Sequence, residues 1–209
     1  VSGLTLGIGQ RLKNPDDYFT LYNGLNFVQY KLNNSQSFFS FRNGESNNVN
    51  YNINIGRNSV DQLNFPRQGS NFLFSLKLSP PYSMFDDVDD YSKLTDQEKY
   101  EWVEYYKWKF KATWFSPFTD KLVLATRTEF GFLGAYNEEL GISPFERFYV
   151  GGDGLSGMGY MNDGRELVSL RGYSNNSISP QTGATIYNKY TAELRYALSL
   201  NTSSTMYAL

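Results

Sequence analysis

The sequence predicts an all-β chain, an antiparallel transmembrane β-barrel of which about eight strands lie within these residues. Three observations predict it. Apolar and polar residues alternate with period two along the whole chain, as strands with two unlike faces require. The connections between those strands alternate between short and long, which the two sides of a membrane impose and a soluble sandwich does not. Aromatic residues make up 17% of the chain, with 17 Tyr and 16 Phe, a bias that suits strands and membrane-interface girdles. No apolar run approaches the roughly 18 residues of a membrane-spanning helix. The mean hydropathy of -0.49 does not oppose a barrel, because half of each strand faces water.

The first strand sets Leu4, Leu6 and Ile8 against Thr5, Gly7 and Gly9. A short link, Lys13 to Asp17, carries the Pro15-Asp16 turn signal. Leu21 to Leu32 forms a second strand whose faces the pattern does not separate, and a long polar connection, Asn33 to Asn48, follows it. Val49, Tyr51, Ile53 and Ile55 then oppose Asn50, Asn52 and Asn54. A moderate link containing Pro66-Arg67-Gln68-Gly69 leads to Phe72, Phe74, Leu76 and Leu78, set against Leu73, Ser75 and Lys77. The long loop Pro80 to Glu104 carries an acidic run, Asp86-Asp87-Val88-Asp89-Asp90, without the spacing of a calcium loop, so it reads as a solvated external face. In the same loop Thr95-Asp96-Gln97-Glu98 has the form of a capping box before a short helix.

The clearest strand runs from Tyr106 to Trp114. One face holds Tyr106, Trp108, Phe110, Ala112 and Trp114; the other holds Lys107, Lys109, Lys111 and Thr113, and three lysines on one face call for water. After a very short link, Ser116 to Asp120, Leu122, Leu124, Phe130 and Phe132 lie opposite Arg127 and Glu129. Tyr136 to Thr185 is the longest connection, an external loop. The last full strand sets Tyr190, Ala192, Leu194, Tyr196 and Leu198 against Thr191, Glu193, Arg195 and Ala197, and a short link, Ser199 to Ser203, follows. Val1 to Leu4 shows no secretory signal and alternation is still running at Leu209, so residues 1–209 read as the central part of a longer barrel.

Composition removes several function classes. The chain has neither Cys nor His, which excludes disulfides, thiolate metal sites, Ser-His and Cys-His nucleophilic pairs and the commonest metal ligand. A net charge of -2 gives no basis for nucleic-acid binding. Gly152, Gly154 and Gly157 satisfy a Gly-x-Gly-x-x-Gly spacing, but no amphipathic helix follows, so they read as a bending loop and not as a nucleotide cradle. Arg127 with Glu129, and Arg195 with Glu193, read as paired charges on a hydrated wall. No enzyme, catalytic residue, metal or cofactor is expected.

Two segments of the longest loop are specific. Pro144-Phe145-Glu146-Arg147-Phe148-Tyr149-Val150-Gly151-Gly152 precedes Leu170-Arg171-Gly172-Tyr173. With the strand pattern, they resemble the BamA family of outer-membrane protein assembly factors, in which a Phe-Tyr-x-Gly-Gly stretch leads to an Arg-Gly-aromatic tripeptide in the sixth external loop. The resemblance implies a barrel of about sixteen strands preceded by periplasmic POTRA domains, with this chain covering roughly strand six to part of strand thirteen. It further implies that residues 136–185 fold back toward the lumen and that Arg171 meets an acidic residue on the following strand, a position that Glu193 matches. Alternation places Glu193 on the polar face with Thr191 and Arg195. A guanidinium forks onto a carboxylate as no Lys can. Gly172 is expected to supply backbone freedom, Tyr173 an anchor on the wall, and Gly151 and Gly152 the loop glycines. An eight-stranded barrel is filled by its own side chains, so a returning loop requires further strands. One departure is the spacing, with about eighteen residues between Gly152 and Arg171 where familiar members have only a few.

The expected function is that of the central barrel of an assembly machine in the bacterial outer membrane. Such a machine folds and inserts client β-barrel proteins, with outer-membrane lipids, nascent β-barrel proteins and accessory lipoproteins as partners. A polypeptide-secreting relative or a generic channel is the alternative, and a soluble carbohydrate-binding sandwich the third reading.

Overall fold

The computed structural model describes residues 1–34, 41–86, 88, 90–154, 164–201 and 204–208. Eight strands form one sheet: β1 (Ser2–Arg11), β2 (Phe19–Leu32), β3 (Gly44–Asn58), β4 (Gly69–Leu78), β5 (Tyr106–Pro117), β6 (Leu122–Gly134), β9 (Ile186–Asn201) and β10 (Ser204–Ala208). Neighbours in the sheet are neighbours in the chain apart from the pair β7 (Phe148–Val150) and β8 (Glu166–Val168), which lies within the connection from β6 to β9. All pairings in the large sheet are antiparallel, while β7 and β8 pair in parallel. The chain is thus an arc of wall with β1 and β10 at its edges.

The register carries the alternation across the sheet. Lys77 lies opposite Lys107, and Lys107 opposite Leu133. One residue along the same face, Ser75, Lys109, Gly131 and Tyr187 form a second row, and Lys111, Glu129 and Lys189 a further one. The other face is apolar and aromatic. Trp108 stacks against Phe132, Phe110 lies against Phe72 and Phe130, and Phe130 meets Tyr190 edge-on. Leu25, Tyr51, Trp114, Tyr190 and Leu194 on this face are exposed. Pairing with β3 also separates the faces of β2: Leu25 and Phe27 lie with Tyr51 and Val49 outside, and Gly24, Asn26 and Tyr30 with Asn52, Asn50 and Ser46 inside.

Two boundaries differ from the sequence reading. β3 begins at Gly44, so the connection before it is shorter than expected, and β9 runs to Asn201. Asn47, Asn48 and Asn50 have low strand propensity, yet Asn48 and Asn50 are buried on the inner face, where Asn50 Nδ2 donates to Asn48 Oδ1 at 3.1 Å. Short connections lie at one end of the wall. Asp16 accepts from Tyr18 N and pairs with Arg57 at 2.8 Å, and Thr119 Oγ1 accepts from Leu122 N at 3.1 Å. The long connections lie at the other end. There Thr95 caps α1 (Asp96–Lys99) with the expected reciprocal box to Glu98. Glu101 and Val103 hydrogen-bond to Asn47 through their backbones, joining this loop to β3.

The core sits at that end on the inner face. Tyr30, Val103, Tyr105, Leu133 and Tyr187 from the wall and its margins enclose Phe145, Phe148 and Val168 from the longest loop. The two faces make a testable contrast. Phe110→Lys in the full-length protein should cost about 2–4 kcal/mol of stability in lipid vesicles, while Thr113→Lys on the inner face should cost little. Urea unfolding followed by tryptophan fluorescence measures both, and equal losses would contradict the assigned faces.

Candidate functional site: the loop docked on the inner face

The segment 144–152 folds back onto the wall because its aromatic residues complete the core. Phe145 stacks on Tyr30 with ring centroids 4.6 Å apart, and Phe148 meets Tyr187 edge-on at 4.7 Å. Phe148 and Ala184 exchange backbone hydrogen bonds of 2.9 and 2.7 Å, tying the loop to the entry of β9. Arg147 is spent on the loop itself, donating to the carbonyls of Ser143 at 2.8 Å and Ile142 at 2.7 Å. Between the two aromatics Glu146 takes a φ of 65°, a left-handed conformation that a residue with a side chain adopts at a cost. Its carboxylate lies on the lysines of the wall.

That contact is one part of a cluster of five charges centred on the buried Lys107, the other four being half-buried. Lys107 Nζ, with none of its side chain exposed, lies 2.9 Å from Glu146 and 2.6 Å from Glu166 of β8. Lys77 reaches Glu146 at 3.2 Å, and Lys109 reaches Glu166 at 2.7 Å. Lys107 also donates to the Glu146 carbonyl at 2.7 Å and sits 4.6 Å from the centre of the Phe148 ring. Of the three lysines on this face of β5, Lys107 and Lys109 are therefore neutralised by carboxylates of the returning loop, and Lys111 pairs with Glu129 of β6. Neither Glu146 nor Glu166 was singled out as a site residue, because charge pairing between a strand and a distant loop has no period in the sequence.

Burial alone would raise the Glu146 and Glu166 carboxyls, but the ammonium groups of Lys107 and Lys77, and of Lys107 and Lys109, outweigh it and hold both below the ordinary value of 4.5. A carboxyl lowered on folding contributes stability that is fully present above its free value and lost as pH falls through the lowered one. The loop should therefore stay docked down to about pH 4.5 and release only in stronger acid. Pepsin cleavage at Phe148 and Tyr149 between about pH 5 and pH 2 checks this, and cutting already at the upper end would contradict it.

The two sequence motifs meet despite the residues between them. Leu170 N donates to Gly152 O at 2.9 Å, Gly152 N to Tyr173 O at 3.1 Å, and Gly151 N to Val168 O at 3.0 Å. Gly151 and Gly152 have φ of 128° and 85°, and a Cβ on either would collide with Ser174 O or with the Asn175 side chain. Both glycines are thus required by conformation and by close approach. Gly157 and the residues that follow Gly154, up to 163, lie outside the described residues.

Arg171 and Gly172 are exposed in the turn after this junction, with Gly172 at a φ of 85°. Tyr173 is 54% exposed, so in this chain its backbone and not its ring makes the attachment. Glu193 lies on the inner face with its carboxylate bound by Arg195 at 2.6 Å. Arg171 is near enough for its charge to act on Glu193, but among the described residues the two form no direct ion pair. Glu129 pairs with Lys189 at 3.0 Å and Lys111 at 3.4 Å, and not with Arg127.

Residues 2–208 match the Omp85 superfamily domain. The chain belongs to the Omp85 superfamily. Its fold is similar to the crystal structure of BamA from Haemophilus ducreyi lacking POTRA domains 1-3, with a TM-score of 0.64 and 17% identity over 96% of this chain. The alignment takes in 38% of the BamA chain, so this chain spans well under half of that length. No curated protein sequence matches it. Within an Omp85 domain, the sheet is a partial barrel wall.

Proposed function

We propose that this Omp85 chain is the central wall and lumen loop of an outer-membrane machine that folds and inserts client β-barrel proteins. The observation that carries the reading is the docking of segments 144–152 and 166–168 of the loop on this face, by a charge cluster around Lys107 and an aromatic core. A generic diffusion channel needs that space open. The similarity to a BamA structure over nearly the whole chain supports an insertase over an unrelated barrel.

The strands cross the outer membrane repeatedly, with short turns on the periplasmic side and long loops outside. Outer-membrane lipids cover the aromatic face, and nascent β-barrel proteins are the substrates. Accessory lipoproteins are the further partners, acting with POTRA domains and seam strands elsewhere in the protein. Insertion proceeds through backbone pairing at the opened seam, with no covalent step and no cofactor. Arg171 and Glu193 act as a latch in this reading, with Arg171 replacing Arg195 on the carboxylate when the turn closes on β9. A related barrel that secretes polypeptides is the second reading, since it would use the same loop.

Depletion in cells tests the function. Unrelated outer-membrane barrels should fall together, scored by heat-modifiable gel mobility, and Arg171→Ala and Glu193→Ala should complement poorly. Normal levels of those barrels after depletion would contradict the insertase reading and favour secretion.

A further inference from the structure

The contacts of β8 assign a role to the segment between the two motifs. Glu166 is the acidic residue of that strand, and its two oxygens divide between Lys107 at 2.6 Å and Lys109 at 2.7 Å. Its own amide donates to Arg147 O at 3.0 Å, and two residues later Val168 O accepts from Gly151 N. The next contacts in the chain are those of Leu170 and Tyr173 with Gly152. After the Glu146 N to Gly164 O bond, Glu166 is thus the residue that ties to the wall a continuous run of hydrogen bonds ending at the Arg-Gly-Tyr tripeptide, while among the described residues Arg171 itself pairs with no carboxylate.

We propose that Glu166 is a positioning residue: by occupying Lys107 and Lys109 it fixes β8 on the wall and so sets Arg171, Gly172 and Tyr173 beside Gly152, independently of any Arg171–Glu193 contact. A carboxylate placed between two ammonium groups in this cluster is bound by charge-assisted hydrogen bonds, and its amide isostere can accept but cannot neutralise. Loss of the charge at Glu166 leaves Lys107 with Glu146 alone and removes the carboxylate from Lys109, so β8 loses its side-chain hold on the wall and keeps only its pairing with β7, while β7 keeps its own hold through Glu146. The inference rests on the loop lying inside the barrel but not on insertase activity.

Val168 reports the position of β8, because it is 5% exposed when β8 is docked. The chain has no Cys, so Val168→Cys adds a single thiol to these residues. In the full-length protein in detergent micelles, maleimide labelling of this thiol should be slow, and Glu166→Gln should accelerate it about tenfold or more, a change in β8 docking of roughly 1.4 kcal/mol. Glu166→Asp should fall between. Lys109→Met should accelerate labelling by itself and add little to Glu166→Gln, since both remove one contact. Arg171→Ala should leave labelling slow. Heat-modifiable mobility confirms in each case that the barrel is folded, and Lys109→Met tests the same contact if Glu166→Gln does not fold. Unchanged labelling in folded Glu166→Gln, or acceleration by Arg171→Ala equal to that by Glu166→Gln, would overturn the proposal. Either labelling result stands whatever depletion shows about barrel assembly.

Discussion

Lys107→Met should release the loop from the wall and lower the stability of the full-length protein by roughly 3–5 kcal/mol, the range for removing one partner of a buried ion pair. Lys107 is the shared member of the cluster, bonded to both Glu146 and Glu166 and completely buried. Methionine keeps the apolar stem without the ammonium and leaves two largely desolvated carboxylates with one ammonium each, Lys77 for Glu146 and Lys109 for Glu166. Replacing all five charges by apolar groups would cost far less, because the penalty comes from the unpaired carboxylates. Urea unfolding in lipid vesicles, together with thiol labelling at Val168→Cys, reads both effects. Wild-type stability with a buried thiol would mean that the cluster does not hold the loop.

Phe148→Ala should be comparably severe, about 3–5 kcal/mol, through a different mechanism. The ring is fully buried, packs edge-on against Tyr187 at 4.7 Å, and lies beneath the Lys107 ammonium at 4.6 Å. Its removal opens a cavity in the cluster that joins the loop to β2, β6 and β9, and also removes the cation–π contact. Because Phe148 and Lys107 touch, the double variant should lose less than the sum of the two single losses. The same unfolding measurement gives all three values, and strict additivity would contradict a shared docking surface.

Much of the wall was legible in the sequence because a strand with lipid on one side and polar groups on the other has an unambiguous period. β5 shows it best: its lysines and its aromatic residues fall on opposite faces, as the alternation requires. β2 was ambiguous because Gly24, Asn23 and Asn26 weaken the contrast, and only pairing with β3 separates its faces. The start of β3 was lost because asparagines signal loops, whereas here they are buried on the inner face.

The site was legible in part. The motifs identify the loop, and the junction of Gly152 with Leu170 and Tyr173 explains why its glycines are needed. The docking charges were not legible, since Glu146 and Glu166 lie tens of residues from the lysines that they meet. The Arg195–Glu193 pair was legible, two residues apart on one face, and forms as read.

The most direct test of the docked loop is a cross-link. The native side chains of Lys109 and Glu166 meet at 2.7 Å, so a water-soluble carbodiimide applied to the full-length protein in membranes should condense the Lys109 amine with the Glu166 carboxylate into an amide within one molecule, read by mass spectrometry of the digest. Activation of Glu166 without an amide to Lys109 or Lys107 would contradict the account.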